Sequence, residues 1–364
     1  MTDSAPKLLT FTAKSAADLI HENIFGPNES PLLKYPFSIA VSRIKTNFDL
    51  FNYKLESEYI PDLVKSKKQS FSWEECCQQR AAQLMKLNKD KYYISYSGGI
   101  DSTTALASLL KFWPKDFLER LVIYMNSESI KENPSFFLDH IMNKFPIFSS
   151  FSEISSKLVS EDALLITGEL GDQLFGSDML GPGSTAFGDE TLHQSYEKYT
   201  PLYINAYLEN DTEGTGERIF SVIKDIVTES PIPIKTTFDF FWWLNFSQKW
   251  QNVKFRYLER NIWSLKATYG NHILHFFDTP EFQHWSLDNH DLKIGKGWAD
   301  YKIAAKNFLY NFTKNSEMKD LRKVLSLDKI YIIPFKRVAI NSHLEEVGYS
   351  DLGKYKKNKS NILT

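Results

Sequence analysis

The chain is short of cysteine, of long apolar runs and of net charge, and each shortage excludes a class of protein. Only two of its 364 residues are cysteines, adjacent at Cys76 and Cys77. Neighbouring cysteines cannot build a disulfide framework, so a reducing, cytoplasmic setting is expected. No apolar run approaches the length of about 18 residues needed to span a membrane, and the N-terminus is polar. Neither a membrane helix nor a signal peptide is expected. Basic residues number 43 and acidic residues 45, a net charge of −2 that gives no general attraction to nucleic acid. Also absent is G-x-x-x-x-G-K-[ST], which excludes the P-loop nucleoside triphosphatases. What remains is a globular composition, 42% hydrophobic and 24% charged, long enough for two or three domains. Aromatic residues reach 15%, enough for a large rigid core and for a stacking site for a base.

One stretch organises the rest. Tyr92-Tyr93-Ile94-Ser95-Tyr96 is β-prone and runs into Ser97-Gly98-Gly99-Ile100-Asp101-Ser102. Ala105, Leu106, Leu109 and Leu110 follow at one-turn spacing until Trp113-Pro114 stops them. The glycines therefore fall on a strand-to-helix turn. Backbone N–H groups at a helix start lack internal partners, and the helix dipole adds partial positive charge. That makes an anion site suited to phosphate or pyrophosphate. Gly98 and Gly99 let the backbone approach a ligand, while Ser97 and Ser102 carry hydroxyl donors. Asp101 would repel a phosphate unless a cation lay between them, which implies Mg²⁺. A plain glycine turn with a Ser or Asp helix cap would satisfy the same residues.

From Lys91 onward strands and helices alternate. Strands are expected at Tyr92–Ser95, Leu121–Met125, Ile147–Phe151 and Ala163–Thr167. Helices fit between them at Ser102–Phe112, Pro134–Lys144 and Glu153–Ser160. This order predicts an α/β fold, a doubly wound parallel sheet with ligands at the carboxyl ends of its strands. Asn126, after the second strand, is a candidate for the adenosine side of the site by position alone. After the fourth strand comes Gly168-Glu169-Leu170-Gly171-Asp172-Gln173. Glu169 and Asp172 would face Asp101 across the mouth of the sheet and complete an acidic, Mg²⁺-binding wall.

Three regions follow from these patterns: a small N-terminal region over 1–90, an α/β core over 91–190, and a mostly helical region over 191–364 with one further strand near 273–277. In the first, Tyr35–Val41 is a candidate strand, Trp73–Leu87 a helix and Lys65–Ser70 a solvated loop. Residues 181–190 are glycine-rich without period and read as a mobile lid or a connector. Helices are expected at 192–210, 216–228 and 238–262, the last carrying an aromatic run from Phe238 to Trp243 best placed in a core. His272, His275, His284 and His290 have no familiar metal spacing. Lys354, Lys356, Lys357 and Lys359 form a basic tail.

The two glycine motifs resemble the pyrophosphatase loop and the G-E-G-x-D motif of asparagine synthetase and its relatives, the β-lactam-forming and lasso-peptide-forming synthetases. The likeness runs over about residues 75–345. It implies an adenine nucleotide α-hydrolase-like sheet that binds ATP through Ser97, Gly98, Gly99, Asp101, Ser102 and Gly168, with Asp101 and Asp172 holding Mg²⁺. The usual Glu after G-E-G-x-D is Gln173. Asn271 to Asp278 resembles the family's E-x-R-x-P-F-L-D segment with Asn271, Ile273 and His275 at the Glu, Arg and Pro positions. Asp300-Tyr301-Lys302-Ile303 resembles a helix start, K-Y-x-L-R. Lys329–Phe335 resembles K-x-G-F-x-x-P-F and makes Lys329 the candidate catalytic cation, with Lys323 and Lys336 as rivals; Glu169 is the other candidate catalytic residue.

The expected activity is that of an ATP-dependent, AMP- and pyrophosphate-forming carbon–nitrogen ligase. It would adenylate a small-molecule carboxylate and pass the acyl group to ammonia or an amine. No N-terminal cysteine follows Met1, so glutaminase activity is not expected in this chain. A separate glutaminase partner and a homodimer stay open. So do three other readings: intramolecular amide or lactam closure, nucleotide or tRNA modification, and an inactive ATP-binding protein.

Overall fold

A computed structural model describes residues 43–44, 60–65, 70–149, 151–208, 214–250, 253–254 and 272–321. The strand expected at Tyr35–Val41, the loop at Lys65–Ser70 beyond its first and last residues, the candidate cations Lys323, Lys329 and Lys336, and the basic tail lie outside the described residues.

Five parallel strands form one sheet: β1 (Lys91–Ser95), β2 (Leu121–Tyr124), β3 (Ile147–Phe148), β4 (Ala163–Thr167) and β5 (Ile273–His275). Their spatial order is β3-β2-β1-β4-β5. The chain therefore winds outward one way from β1 and the other way through β4, and the order reverses between those two strands. Tyr92 pairs with Leu121 on one side and Leu164 on the other. Side chains alternate between faces, as strand geometry requires. Tyr92, Ile94, Leu121, Ile123, Leu164 and Ile166 enter the large core, while Tyr93, Val122, Leu165 and Ile273 pack on Ile154 and Leu158. Both faces are covered, so the central strands carry almost no exposed residue.

The large core is built by helices whose ends are written locally. α1 (Trp73–Lys86) starts at a capping box: the Ser72 hydroxyl accepts the Glu75 N–H at 3.2 Å, and Glu75 accepts the Ser72 N–H at 2.7 Å. Its Trp73 ring lies 4.6 Å from both Phe175 and Trp285. Cys76 and Cys77 are buried on the same face, and burial pushes the Cys77 thiol up to about 12. Neither is a reactive thiolate. α2 (Ile100–Phe112) follows β1, α3 (Ser127–Glu132) follows β2, and α4 (Phe151–Ser160) covers the thinner face. α2 starts two residues before the expected Ser102, which puts Asp101 on its first turn.

Residues 181–190 are corrected by the structure. They form most of α6 (Leu180–Phe187), which follows the short α5 (Gly171–Phe175), and then a 3₁₀ turn. The glycines that hid a helical pattern are there for packing. A Cβ on Gly183 would stand 2.1 Å from the Tyr203 ring, and one on Gly181 would stand 3.1 Å from Trp298. α7 (Tyr196–Leu208) and α8 (Thr215–Ile223) follow. The aromatic run is α9 (Thr237–Leu244), entirely in the core but for Asp239, continued by a π-helical turn over Asn245–Lys249. α10 (Pro280–Asp288), α11 (Ile303–Thr313) and a last short helix over Glu317–Asp320 complete the described chain. Among the described residues no helix is long and apolar enough to cross a membrane.

Candidate functional site

The site lies where the strand order reverses, at the carboxyl ends of β1 and β4. After β1 the chain passes beneath α3. Gly98 has φ +78°, and a Cβ there would lie 2.5 Å from the Ser129 carbonyl oxygen, so only glycine fits. The Ser102 hydroxyl, 4% exposed, fastens the turn from inside: it accepts the Ser97 N–H at 3.0 Å and donates to the Gly99 carbonyl at 3.1 Å. The Ser97 hydroxyl is exposed and bonds to it at 3.0 Å. Gly99 is the N-cap of α2 and has no side chain to cap the first N–H groups, which suits an anion.

The second motif is pressed against the first by two glycines. A Cβ on Gly168 would stand 2.7 Å from the backbone of Ser102, and one on Gly171 would stand 2.3 Å from the Asp101 carboxyl carbon. Between them Leu170 adopts a left-handed backbone, φ 75°, at the position where the G-E-G-x-D pattern has glycine. Its side chain is 1% exposed, and that burial holds a conformation disfavoured for leucine.

A lysine that the sequence reading did not single out joins the two motifs. Lys302 Nζ lies 2.5 Å from Asp101 Oδ2 and 2.6 Å from Asp172 Oδ1. It is 5% exposed and sits at the start of α11 with φ 62°. Its N–H donates to the Lys293 carbonyl at 2.8 Å. Burial acts to lower its pKa, but the charges of Asp101 and then Asp172, with their hydrogen bonds, outweigh burial and raise it. The ammonium is therefore charged. Beside it Tyr301 stacks on Trp298 at 4.4 Å, and burial followed by the charges of Asp172, Asp101 and Asp178 raises its hydroxyl well above the usual range.

Asp172 is held from behind. Asn245 Nδ2 donates to the Asp172 carbonyl at 3.2 Å and to the Gly176 carbonyl, and Gln173 Nε2 donates to Asn245 Oδ1 at 3.1 Å. Gln173 is 2% exposed, a brace turned into the core. Asn245 opens the π-helical turn, a distortion that often accompanies functional sites.

Asp101 and Asp172 converge on one point, and Gly168 brings their strands together. The expected wall of three acids is not formed: among the described residues no group of three His, Cys, Asp or Glu could hold a metal. Glu169 is half-buried, its N–H donates to the Thr167 hydroxyl at 3.3 Å, and its charge acts on His275. The point on which Asp101 and Asp172 converge is filled by the Lys302 ammonium, so a Mg²⁺ ion would have to take their other oxygens and draw further ligands from phosphate and water. Asn126 lies at the end of β2 and caps α3, its side-chain oxygen accepting the Ser129 N–H at 3.0 Å.

The edge strand β5 carries the divergent segment. The His275 ring bonds Thr167 Oγ1 through Nδ1 at 2.6 Å and the Lys254 carbonyl through Nε2 at 2.7 Å. A carbonyl only accepts, so Nε2 carries the proton and Nδ1 accepts from the threonine. Burial lowers the His275 pKa and keeps the ring neutral. Asp278 pairs with Lys254 at 2.9 Å. The positions that hold Arg and Pro in the synthetases are here core residues, Ile273 and His275, each 1% exposed; Asn271 lies outside the described residues.

Lys302 was within reach of sequence reasoning. It stands at the head of a helix, after a glycine-flanked aromatic stretch, with Lys306 one turn on. No family model and no curated protein matches this chain.

Proposed function

We propose that the chain is an ATP-dependent, AMP- and pyrophosphate-forming carbon–nitrogen ligase. One observation carries the reading: the Lys302 ammonium is bonded to both Asp101 and Asp172, beside the anion-binding start of α2 at the reversal of a parallel sheet. That is where ligands bind in such sheets. A site built for pyrophosphate needs positive charge and backbone donors, and this one has both.

A substrate carboxylate oxygen attacks the α-phosphorus of ATP and displaces pyrophosphate toward the turn from Ser97 to Ser102. The N–H groups at the head of α2 and the Lys302 charge stabilise the leaving phosphates, because they are in place before charge develops. Mg²⁺ held through Asp101 and Asp172 would neutralise further phosphate charge. Ammonia or an amine then attacks the acyl carbon, gives up a proton, and AMP leaves with the bonding pair of the acyl–oxygen bond. Glu169, at the same strand end, is the candidate to receive that proton. Most of the protein's work is orientation and charge.

The test is product analysis with ATP labelled at the α-phosphorus, across a panel of carboxylates with and without ammonium. AMP and pyrophosphate in equal amounts, dependent on the carboxylate, are expected. ADP as the main product would overturn the proposal.

A further inference from the structure

Behind the site lies a chain of buried ionisable groups that touches no reacting atom. Lys293 is 0% exposed. Its Nζ stands 3.5 Å from the centre of the Trp242 ring and 2.7 Å from His290 Nδ1. His290 Nε2 lies 2.7 Å from Asp239 Oδ1. The second Asp239 oxygen accepts the N–H groups of Thr236 at 2.8 Å and Lys235 at 2.9 Å, closing the capping box of α9. The His290 ring is wedged against Trp242 at 4.7 Å and Phe238 at 5.4 Å.

Each end of this chain leads to one half of the phosphate site. The Lys293 carbonyl accepts the Lys302 N–H, which holds Lys302 in its left-handed backbone. Asp239 anchors the head of α9, and the continuation of α9 carries Asn245 onto the Asp172 and Gly176 carbonyls. A fully buried amine and a largely buried imidazole, the His290 side chain being 24% exposed, destabilise a fold unless they are bonded to partners, and a structural core could be built more simply from apolar residues.

We infer that Asp239, His290 and Lys293 form a positioning unit that holds Lys302 and Asp172 at their working separation, and that a proton added to His290 uncouples it. The tautomer follows from the partners. A carboxylate only accepts, so Nε2–H donates to Asp239 and the Nδ1 lone pair accepts an N–H of Lys293. With the Lys293 ammonium charged, a second proton on the ring would set N–H against N–H at 2.7 Å and part the two side chains. The alkaline direction is different, because a neutral Lys293 amine keeps an N–H to donate. The groups facing His290 are Lys293, Asp239 and Asp291. Burial, then the Lys293 charge, hold its pKa below the ordinary value against the pull of both acids. Burial likewise lowers Lys293, opposed by Asp239 and Asp291.

The ligand half of the test rests on the nucleotide chemistry proposed above; the ligand-free half does not. Dissociation constants for magnesium pyrophosphate are measured by calorimetry from pH 5 to 8 for the wild type, His290→Gln and Lys293→Met. Glutamine can donate to Asp239 and accept from Lys293 at every pH, and methionine keeps the packing over Trp242 without the donor. Loss of such an outer partner costs about 10- to 100-fold in ligand affinity. Wild-type affinity should fall by about tenfold below about pH 6, His290→Gln should bind evenly across the range, and Lys293→Met should be about tenfold weaker throughout. Wild-type binding at neutral pH, with an acid limb that His290→Gln shares or a Lys293→Met affinity equal to the wild type, overturns the inference.

In the ligand-free protein, lysine ¹⁵N resonances report the same unit. The Lys302 ammonium signal, protected by two ion pairs, should broaden below about pH 6 in the wild type and stay sharp in His290→Gln. A wild type that binds no pyrophosphate at any pH would sink the ligase reading, and this ligand-free comparison would still decide the inference: equal broadening in both proteins overturns it.

Discussion

Lys293 and Lys302 lie in one loop, joined N–H to carbonyl, and both are buried. Burial works against the charge of each, yet the outcomes are opposite. Lys302 has two carboxylates within 2.6 Å, and their attraction raises its pKa. Lys293 meets a neutral ring nitrogen and an aromatic face, burial outweighs the pull of Asp239 and Asp291, and its pKa falls well below the ordinary value. The lesson is that the charge state of a buried lysine is set by what it touches and not by how deeply it lies. One of the pair is a charged ammonium held between two carboxylates. The other is a joint in the frame behind it.

The sharpest way to break that contrast is to remove each amine in turn. Lys302→Met should lower carboxylate-dependent pyrophosphate release by about 100- to 1,000-fold, the scale of losing one preorganised charge. A variant that keeps a tenth of wild-type turnover would place the working cation elsewhere. The same change leaves Asp101 and Asp172 to repel one another. Because Asp172 is 42% exposed, the loss of folding stability in urea should be only about 1–3 kcal/mol, less than for a fully buried pair.

The second comparison sets Gln173 beside the acids it neighbours in sequence. Gln173→Glu would bury a carboxylate against Asn245 Oδ1, whose amide is already committed to two carbonyls. A stability loss of about 2–4 kcal/mol at pH 7 is expected, with no gain in turnover. The buried acid would keep its proton in the folded protein after the unfolded chain has released it. Stability should therefore fall as pH rises above about 4.3, the ordinary glutamate value. A rise in activity would show that the brace reading is wrong.

His290 should show the reverse slope. Its folded pKa is lowered, so below about 6.5 the unfolded chain binds a proton that the folded chain refuses. Its stabilisation is present above that pH and is lost as pH falls. Urea midpoints followed from pH 8 to 5 should decline at the acid end in the wild type and more gently in His290→Gln. Smallest is the backbone comparison. Lys302 and Lys314 share a left-handed conformation, but Lys314 is exposed at the end of α11 and pairs with no acid among the described residues. Lys314→Gly should stabilise the fold by about 0.4–1 kcal/mol, and any loss would mean the lysine itself is needed there.

How much of this was legible can be argued residue by residue. The strand, turn and helix from Lys91 to Phe112 could be read because hydrophobic period and glycine placement are local properties. The strand after Glu161 and its acids could be read for the same reason. The helix over 180–187 could not, because Gly181 and Gly183 are spaced for Trp298 and Tyr203, which lie far along the chain. Glu169 and Asp172 looked equivalent in sequence, but the turn at Leu170 sends one toward His275 and the other to Lys302.

By itself, then, the sequence determined the parallel α/β alternation, the glycine turn at the head of α2 and the pairing of Asp101 with Asp172, because each follows from residue types within a few positions of one another. Tertiary structure alone decided which lysine faces those acids, that Gln173 turns inward, and that Asp239, His290 and Lys293 form one chain. Those contacts join residues separated by up to 201 positions, as with Lys302 and Asp101, and no local pattern encodes a meeting that only the packed core brings about.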